Sequence, residues 1–111
     1  MCNNKVSIVI PTRNRVEYLK RCLNSIFQQD YENFEVIVID NNSSDGTVAM
    51  IKNDFEKIVL IENNKNMSVC IARNQGILES TGGYVWFLDS DTEVINQKCL
   101  SNMVSIMQDY S

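Results

Sequence analysis

The sequence predicts an α/β fold, a mostly parallel sheet with helices on both faces. Two observations predict it. Short continuous runs rich in Val and Ile alternate with longer stretches whose apolar residues recur at helical spacing. The polar residues with chemical potential gather just past the ends of the apolar runs. Strands that are apolar without alternation are buried on both faces, and helices between them supply the cover. Ligands of such sheets bind beyond the carboxyl ends of the strands, where those polar residues stand.

The elements follow in order. A first strand is expected over 6–10, Val6-Ser7-Ile8-Val9-Ile10, ended by Pro11. A helix over 15–29 carries Val16, Leu19, Leu23, Ile26 and Phe27 on one stripe. The second strand, 34–39, holds the β-branched run Val36-Ile37-Val38-Ile39. A polar turn over 40–46 leads to a helix over 47–55, with Ser44 or Asp45 as its cap. A third strand at 58–61 and a loop at 63–66 precede a helix over 68–79, ended by Thr81-Gly82-Gly83. The fourth strand, 84–88, runs into Asp89-Ser90-Asp91. Asn96 is the expected N-cap of a last helix striped by Leu100, Met103, Val104 and Met107. The arrangement is Rossmann-like.

The chain has 111 residues, enough for one domain over 1–111 and not two. Its net charge of −4 argues against nucleic acid as a partner, since phosphate backbones demand clustered Lys and Arg. A nucleotide held by a metal ion and backbone N–H groups is compatible with an acidic chain. No apolar stretch approaches the ~20 residues that span a bilayer, and no signal peptide precedes the first strand. Cys2, Cys22, Cys70 and Cys99 form no C-x-x-C pair, and there is no histidine. Buried, reduced cysteines are expected, in the cytoplasm or at the cytoplasmic face of a membrane.

Several chemistries are excluded directly. No G-x-G-x-x-G follows the first strand, and no G-x-x-x-x-G-K-[ST] occurs. Without histidine, no Ser or Cys nucleophile has its usual base. Asp89-Ser90-Asp91 is the sharpest positive feature. Two carboxylates two residues apart, just past a buried strand, suit a hard cation such as Mn²⁺ or Mg²⁺. A metal there would neutralise a diphosphate leaving group. Asp40 and Asn41, at the end of the second strand, can accept hydrogen bonds from a base or ribose. Arg73, in Ala72-Arg73-Asn74-Gln75-Gly76, reads either as a diphosphate partner or as a solvated helix charge. Gly76 costs up to ~1 kcal/mol inside a helix, which close packing on the sheet would explain.

Four segments together resemble the N-terminal part of family 2 glycosyltransferases, which have the GT-A fold. They are the run from Val6 to Asn14, the run from Val36 to Thr47, Ala72-Arg73-Asn74-Gln75-Gly76-Ile77, and the run from Gly82 to Asp91. The resemblance extends from Val6 to about Met107. It implies transfer of a sugar, with inversion, from a nucleotide-diphosphate sugar to an acceptor hydroxyl of a glycan or lipid-linked sugar. It implies that Pro11, Thr12 and Asn14 line the nucleotide pocket and that Asp40 and Asn41 face base and ribose. Arg73 would lie near the nucleotide, Asp89 near ribose and metal, and Asp91 would be the principal metal ligand. A UDP-sugar is the expected donor, with dTDP- and GDP-sugars as alternatives. Two positions depart from the family's habit: Asn41 stands where Asp is common, and Ser68 where glycine is common.

Family members continue well past the Asp-x-Asp motif, into a half that supplies an acidic general base. After Asp91 this sequence has only Glu93 and Asp109 as acids. A truncated, donor-binding half that is catalytically incomplete is therefore expected, with apolar surface left for self-association. Two other classes compete. A sugar nucleotidyltransferase would carry a glycine-rich basic loop after the first strand, and Pro11-Thr12-Arg13-Asn14-Arg15 has no glycine. A non-catalytic interaction module with a degenerate site would bind no nucleotide in a metal-dependent way.

Overall fold

Alternation of β-branched runs with amphipathic helices produces the order β1 (Val6–Thr12), α1 (Val16–Phe27), β2 (Phe34–Asn41), α2 (Thr47–Asp54), β3 (Val59–Asn63), α3 (Val69–Glu79), β4 (Tyr84–Phe87) and α4 (Cys99–Asp109). The structure, a computed structural model, describes residues 3–109. The four strands form one all-parallel sheet in the order β3-β2-β1-β4. Two cores lie on its two faces. Val6, Ile8, Ile10, Val36 and Val38 pack with Leu19, Leu23 and Ile26 of α1, Ile51 of α2, and Leu100 and Val104 of α4. Val9, Ile37 and Ile39 pack on the other face with Ala72 of α3. This is the α/β, Rossmann-like arrangement that the sequence predicts.

Five local features differ from expectation. β1 continues through Pro11 to Thr12. Alternate residues of a parallel strand bond to opposite neighbours, and Val9 O accepts from Leu88 N at 3.0 Å, towards β4. Pro11 shares that side, where β4 has already ended at Phe87, so its missing N–H costs no ladder bond. β2 also runs two residues further than expected, which builds Asp40 and Asn41 into the sheet.

The turn before α2 uses Gly46 at φ 90 as its N-cap, a left-handed conformation that suits glycine. Asp45 instead accepts from Thr47 N at 3.2 Å and from Val16 N at 3.0 Å, serving the starts of two helices. Gly82 and Gly83 are not a left-handed helix cap, because α3 ends at Ser80 in extended geometry. They are glycines because the start of β1 and the residues leading into it pass too close: a Cβ on Gly82 would stand 2.6 Å from Lys5 O and 2.9 Å from Ser7 N, and one on Gly83 would meet Asn3 O. Asn96 caps only a turn, accepting from Lys98 N at 2.9 Å. The helix proper starts at Cys99, where buried Gln29 accepts from Leu100 N at 3.0 Å and donates to Asn96 O at 2.9 Å.

At the amino end of the sheet, Glu35 ties three segments together. It accepts from Ser7 Oγ at 2.6 Å and from Thr81 N at 2.7 Å, and faces Lys5 Nζ at 3.7 Å. Burial alone would raise its pKa; the hydrogen bonds from Ser7 and Thr81 and the charge of Lys5 outweigh it and hold the carboxyl below its ordinary value. A depressed folded pKa stabilises above the unfolded value and is lost as pH falls through the folded one. Glu35→Gln is thus expected to flatten the acid limb of the stability curve below about pH 4.5, relative to the parent chain. Denaturant melts at stepped pH measure this. An unchanged acid limb would deny Glu35 that role.

Candidate nucleotide and metal site

The carboxyl ends of β1, β2 and β4 open into a cavity of about 320 Å³. Pro11, Thr12, Arg13, Arg15, Asn41, Asn66, Met67, Val69, Asp89, Ser90 and Asp91 line it. The volume falls in the usual range for small-molecule sites. Pro11, Thr12, Asn41, Asp89 and Asp91 are thus brought together. Asn14, Asp40 and Arg73 do not line the cavity.

Asn14 and Asp40 shape its rim. Asn14 sits at φ 52, a left-handed conformation that Asn tolerates. Its side chain accepts from Ser44 N at 2.7 Å, and its own N–H donates to Ser43 Oγ at 2.9 Å. Asp40, only 2% exposed, accepts from Ser43 N at 3.0 Å. The β2–α2 turn is therefore strapped to the β1–α1 turn. Asp40 Oδ1 and Thr12 Oγ1 are buried without a partner, and the two residues are register neighbours. The unused hydroxyl of Thr12, which lines the cavity, favours a polar ligand there. Arg73 lies on the α3 face, its guanidinium 5.5 Å from the Phe87 ring centroid and its buried Nε unpaired.

The Asp89–Asp91 turn is anchored from beneath. Leu88 N bonds to Val9 O at 3.0 Å, Thr92 N closes the turn on Asp89 O at 3.0 Å, and Val94 N bonds to Ser25 Oγ at 2.9 Å. Both aspartates are exposed. Neither belongs to an ion pair; among the described residues those are Lys5–Glu35, Lys20–Asp54 and Lys52–Glu62. No cluster of three or more potential metal ligands of the His, Cys, Asp or Glu type occurs among the described residues. Two carboxylates fit a cation of the Mg²⁺ or Mn²⁺ class, which completes its shell with water and phosphate oxygens.

The cysteines divide. Cys22 is buried behind the Asp89 turn, its thiol 3.9 Å from Asp89 O. Burial, then the charges of Asp91 and Glu93, push its pKa to about 12. Cys70 contradicts the expectation of burial: it is exposed on α3, whose sheet-facing positions are Ala72 and Gly76. Cys99 is half-buried, and Cys2 lies outside the described residues. Iodoacetamide at pH 7.5 is expected to alkylate Cys70 in the native chain and Cys22 only after unfolding, because the thiolate is the nucleophile. Peptide mapping checks this, and native labelling of Cys22 would contradict it.

The family model for glycosyl transferase family 2 matches residues 7–111. The chain belongs to that family. It is 32% identical over 93 residues to the glycosyltransferase GlyA of Streptococcus pneumoniae, covering 82% of this chain and 13% of that one. It is 34% identical over 96 residues to a GalNAc(5)-diNAcBac-PP-undecaprenol beta-1,3-glucosyltransferase of Campylobacter jejuni, covering 83% and 31%. S. aureus TarS 1–349, solved with UDP, superposes with a TM-score of 0.86 at 28% identity, over 95% of this chain and 32% of that one. The mannosyltransferase PcManGT of Pyrobaculum calidifontis, solved with GDP-Man and Mn²⁺, gives 0.83 at 26% identity, over 94% and 32%. The chain spans 13% to 43% of the length of these and similar curated relatives.

Sequence reasoning missed Asn66, Met67 and Val69, which close the cavity from the β3–α3 connection. Nothing in their spacing marks them, since Asn66 and Met67 belong to a loop without periodicity and Val69 is the first residue of α3. Arg13 and Arg15 were not assigned to the site from the sequence either, and both line the cavity. Among the described residues, no helix is long and apolar enough to cross a membrane.

Proposed function

We propose that this chain is the donor-binding part of an inverting glycosyltransferase, acting in the cytoplasm or at its membrane face. The single observation that carries the reading is the cavity at the carboxyl ends of β1, β2 and β4, with Asp89 and Asp91 at one end and Asn41 at the other. TarS with UDP and PcManGT with GDP-Man and Mn²⁺ support a nucleotide-sugar ligand. A UDP-sugar is the first candidate, then dTDP- and GDP-sugars. Asp91 and Asp89 would hold Mn²⁺ or Mg²⁺, whose charge stabilises the departing diphosphate. Pro11 and Thr12 floor the nucleotide pocket. Asn14 and Asp40 hold its rim, and Arg73, on α3, approaches the nucleotide only if it leaves the Phe87 ring.

In the reaction, an acceptor oxygen bonds to the anomeric carbon as the bond from that carbon to the diphosphate oxygen breaks, and the hydroxyl proton passes to a carboxylate. Among the described residues, Asp89 and Asp91 are the only acids lining the cavity, and Glu93 and Asp109 lie outside it. With both committed to metal, residues 1–111, taken as a single donor-binding domain, bind donor without robust transfer. Exposed Val85 and Phe87 on β4, with Leu78 on α3, offer a surface for self-association. A monomeric mass by light scattering at high concentration would set that surface aside.

Thermal shift with UDP, dTDP, GDP and CDP, each with Mn²⁺ or EDTA, tests the donor reading. A ligand at 100 times its dissociation constant adds about 2.7 kcal/mol. A shift abolished by EDTA is expected. Its absence with every nucleotide would favour the interaction-module reading.

A further inference from the structure

Asn41 is 5% exposed and lines the cavity, yet its side chain is not free to turn. Its Oδ1 accepts from Asn63 Nδ2 at 2.9 Å, across the β2–β3 register pair Asn41–Asn63. Asn63 and Gln75 of α3 exchange two further bonds: Asn63 Nδ2 donates to Gln75 Oε1 at 2.9 Å, and Gln75 Nε2 donates to Asn63 Oδ1 at 2.8 Å. Both Asn63 amide hydrogens are thereby used.

A chain of amides can in principle reverse as a unit, each exchanging donor for acceptor. Here reversal is opposed at one member. Asn41 Nδ2 faces the Met67 carbonyl oxygen at 3.4 Å, and a backbone carbonyl only accepts. Turning Asn41 over would set two acceptor oxygens against each other. The amide is therefore held with its oxygen towards β3 and its nitrogen on the side of Met67, another cavity residue. The bond to Met67 is long, and the second hydrogen of Nδ2 remains for a ligand.

Asn41 is also placed for a base. β2 and β4 flank β1, so Asn41 stands roughly 10 Å across the sheet from the Asp89 turn, at about 4.8 Å per strand. A nucleotide with its diphosphate at Asp89 and Asp91 carries its base to that end, between Met67 and Val69 on one side and the β1 rim on the other. Given the donor-site reading on which this rests, we infer that Asn41 reads the donor base as a hydrogen-bond donor, through a carbonyl oxygen or unprotonated ring nitrogen and not through a ring N–H. Asn63 and Gln75 are positioning residues that fix this polarity.

Uracil and cytosine distinguish the two modes. Both offer acceptor atoms, but only uracil has an N–H at ring position three. Isothermal titration of the parent chain with UDP and with CDP, in Mn²⁺, is expected to give affinities within about threefold. Asn63→Asp can only accept, so it draws Asn41 Nδ2 towards itself and turns Oδ1 outward. It is expected to shift the ratio towards UDP by about tenfold, equivalent to one ordinary hydrogen bond. Asn41→Asp is acceptor-only and shifts the ratio the same way if Asn63→Asp fails to fold. A parent chain that prefers UDP by about tenfold or more overturns the inference, as does a ratio that neither variant moves. Those results leave the donor site standing. Binding of neither nucleotide would remove the donor site and this inference together.

Discussion

Asp91→Asn is expected to abolish the Mn²⁺-dependent part of nucleotide binding while leaving the unliganded fold intact. Asp91 is exposed, lies in none of the ion pairs and packs against no core cluster. Substitutions at such positions change stability by no more than about 0.5 kcal/mol. The proposed metal site, by contrast, consists of two carboxylates and would lose half its protein charge. The roughly 2.7 kcal/mol of stabilisation from UDP and Mn²⁺ at 100 times the dissociation constant should fall to what EDTA leaves. Thermal shift on both chains, with and without metal, reads this directly. A variant that binds UDP with Mn²⁺ as tightly as its parent would take Asp91 out of the metal site.

Gly76→Ala is the second large effect, and it acts through packing. A Cβ at Gly76 would stand 2.2 Å from Val9 Cγ1 and 3.1 Å from Ile39 Cδ1. Val9 is β-branched, fully buried and held in β1, so it has little room to yield. Overpacking of this kind costs about 1–3 kcal/mol, which outweighs the helix propensity that alanine adds. Each kcal/mol lowers the melting temperature by about 4–8 °C in a domain of this size. Val9→Ala should cost less in the Gly76→Ala background than alone, with a coupling of about 0.5–3 kcal/mol. Simple additivity would show that α3 moves away from the sheet instead. That movement would also carry Gln75 off Asn63.

The strands and the Asp89 turn were legible in the sequence because they depend on local pattern. Val36-Ile37-Val38-Ile39 has no reading but a strand buried on both faces, and all four residues are buried. Gly76 was legible as a packing glycine for the same reason: a costly residue mid-helix needs a neighbour that forbids a side chain. What escaped depends on contacts between distant segments. Pro11 looks like a strand terminator until the length of β4 is known. Gly82 and Gly83 look like a helix cap until β1 is seen passing them. Asn63 and Gln75 are unremarkable polar residues until the sheet register sets Asn63 beside Asn41 and α3 brings Gln75 over both. Met67 enters the cavity from a loop that carries no periodicity, and Val69 from the first position of α3.

Amide NMR locates the proposed donor site residue by residue. In a ¹H–¹⁵N spectrum titrated with UDP and Mg²⁺, Thr12, Asn41, Met67 and the Asp89–Asp91 turn should shift together. Traces of Mn²⁺ should then broaden the Asp89–Asp91 amides first. Shifts confined to the opposite end of the sheet, around Phe27, Tyr31 and Glu35, or no shifts at all, would contradict the account.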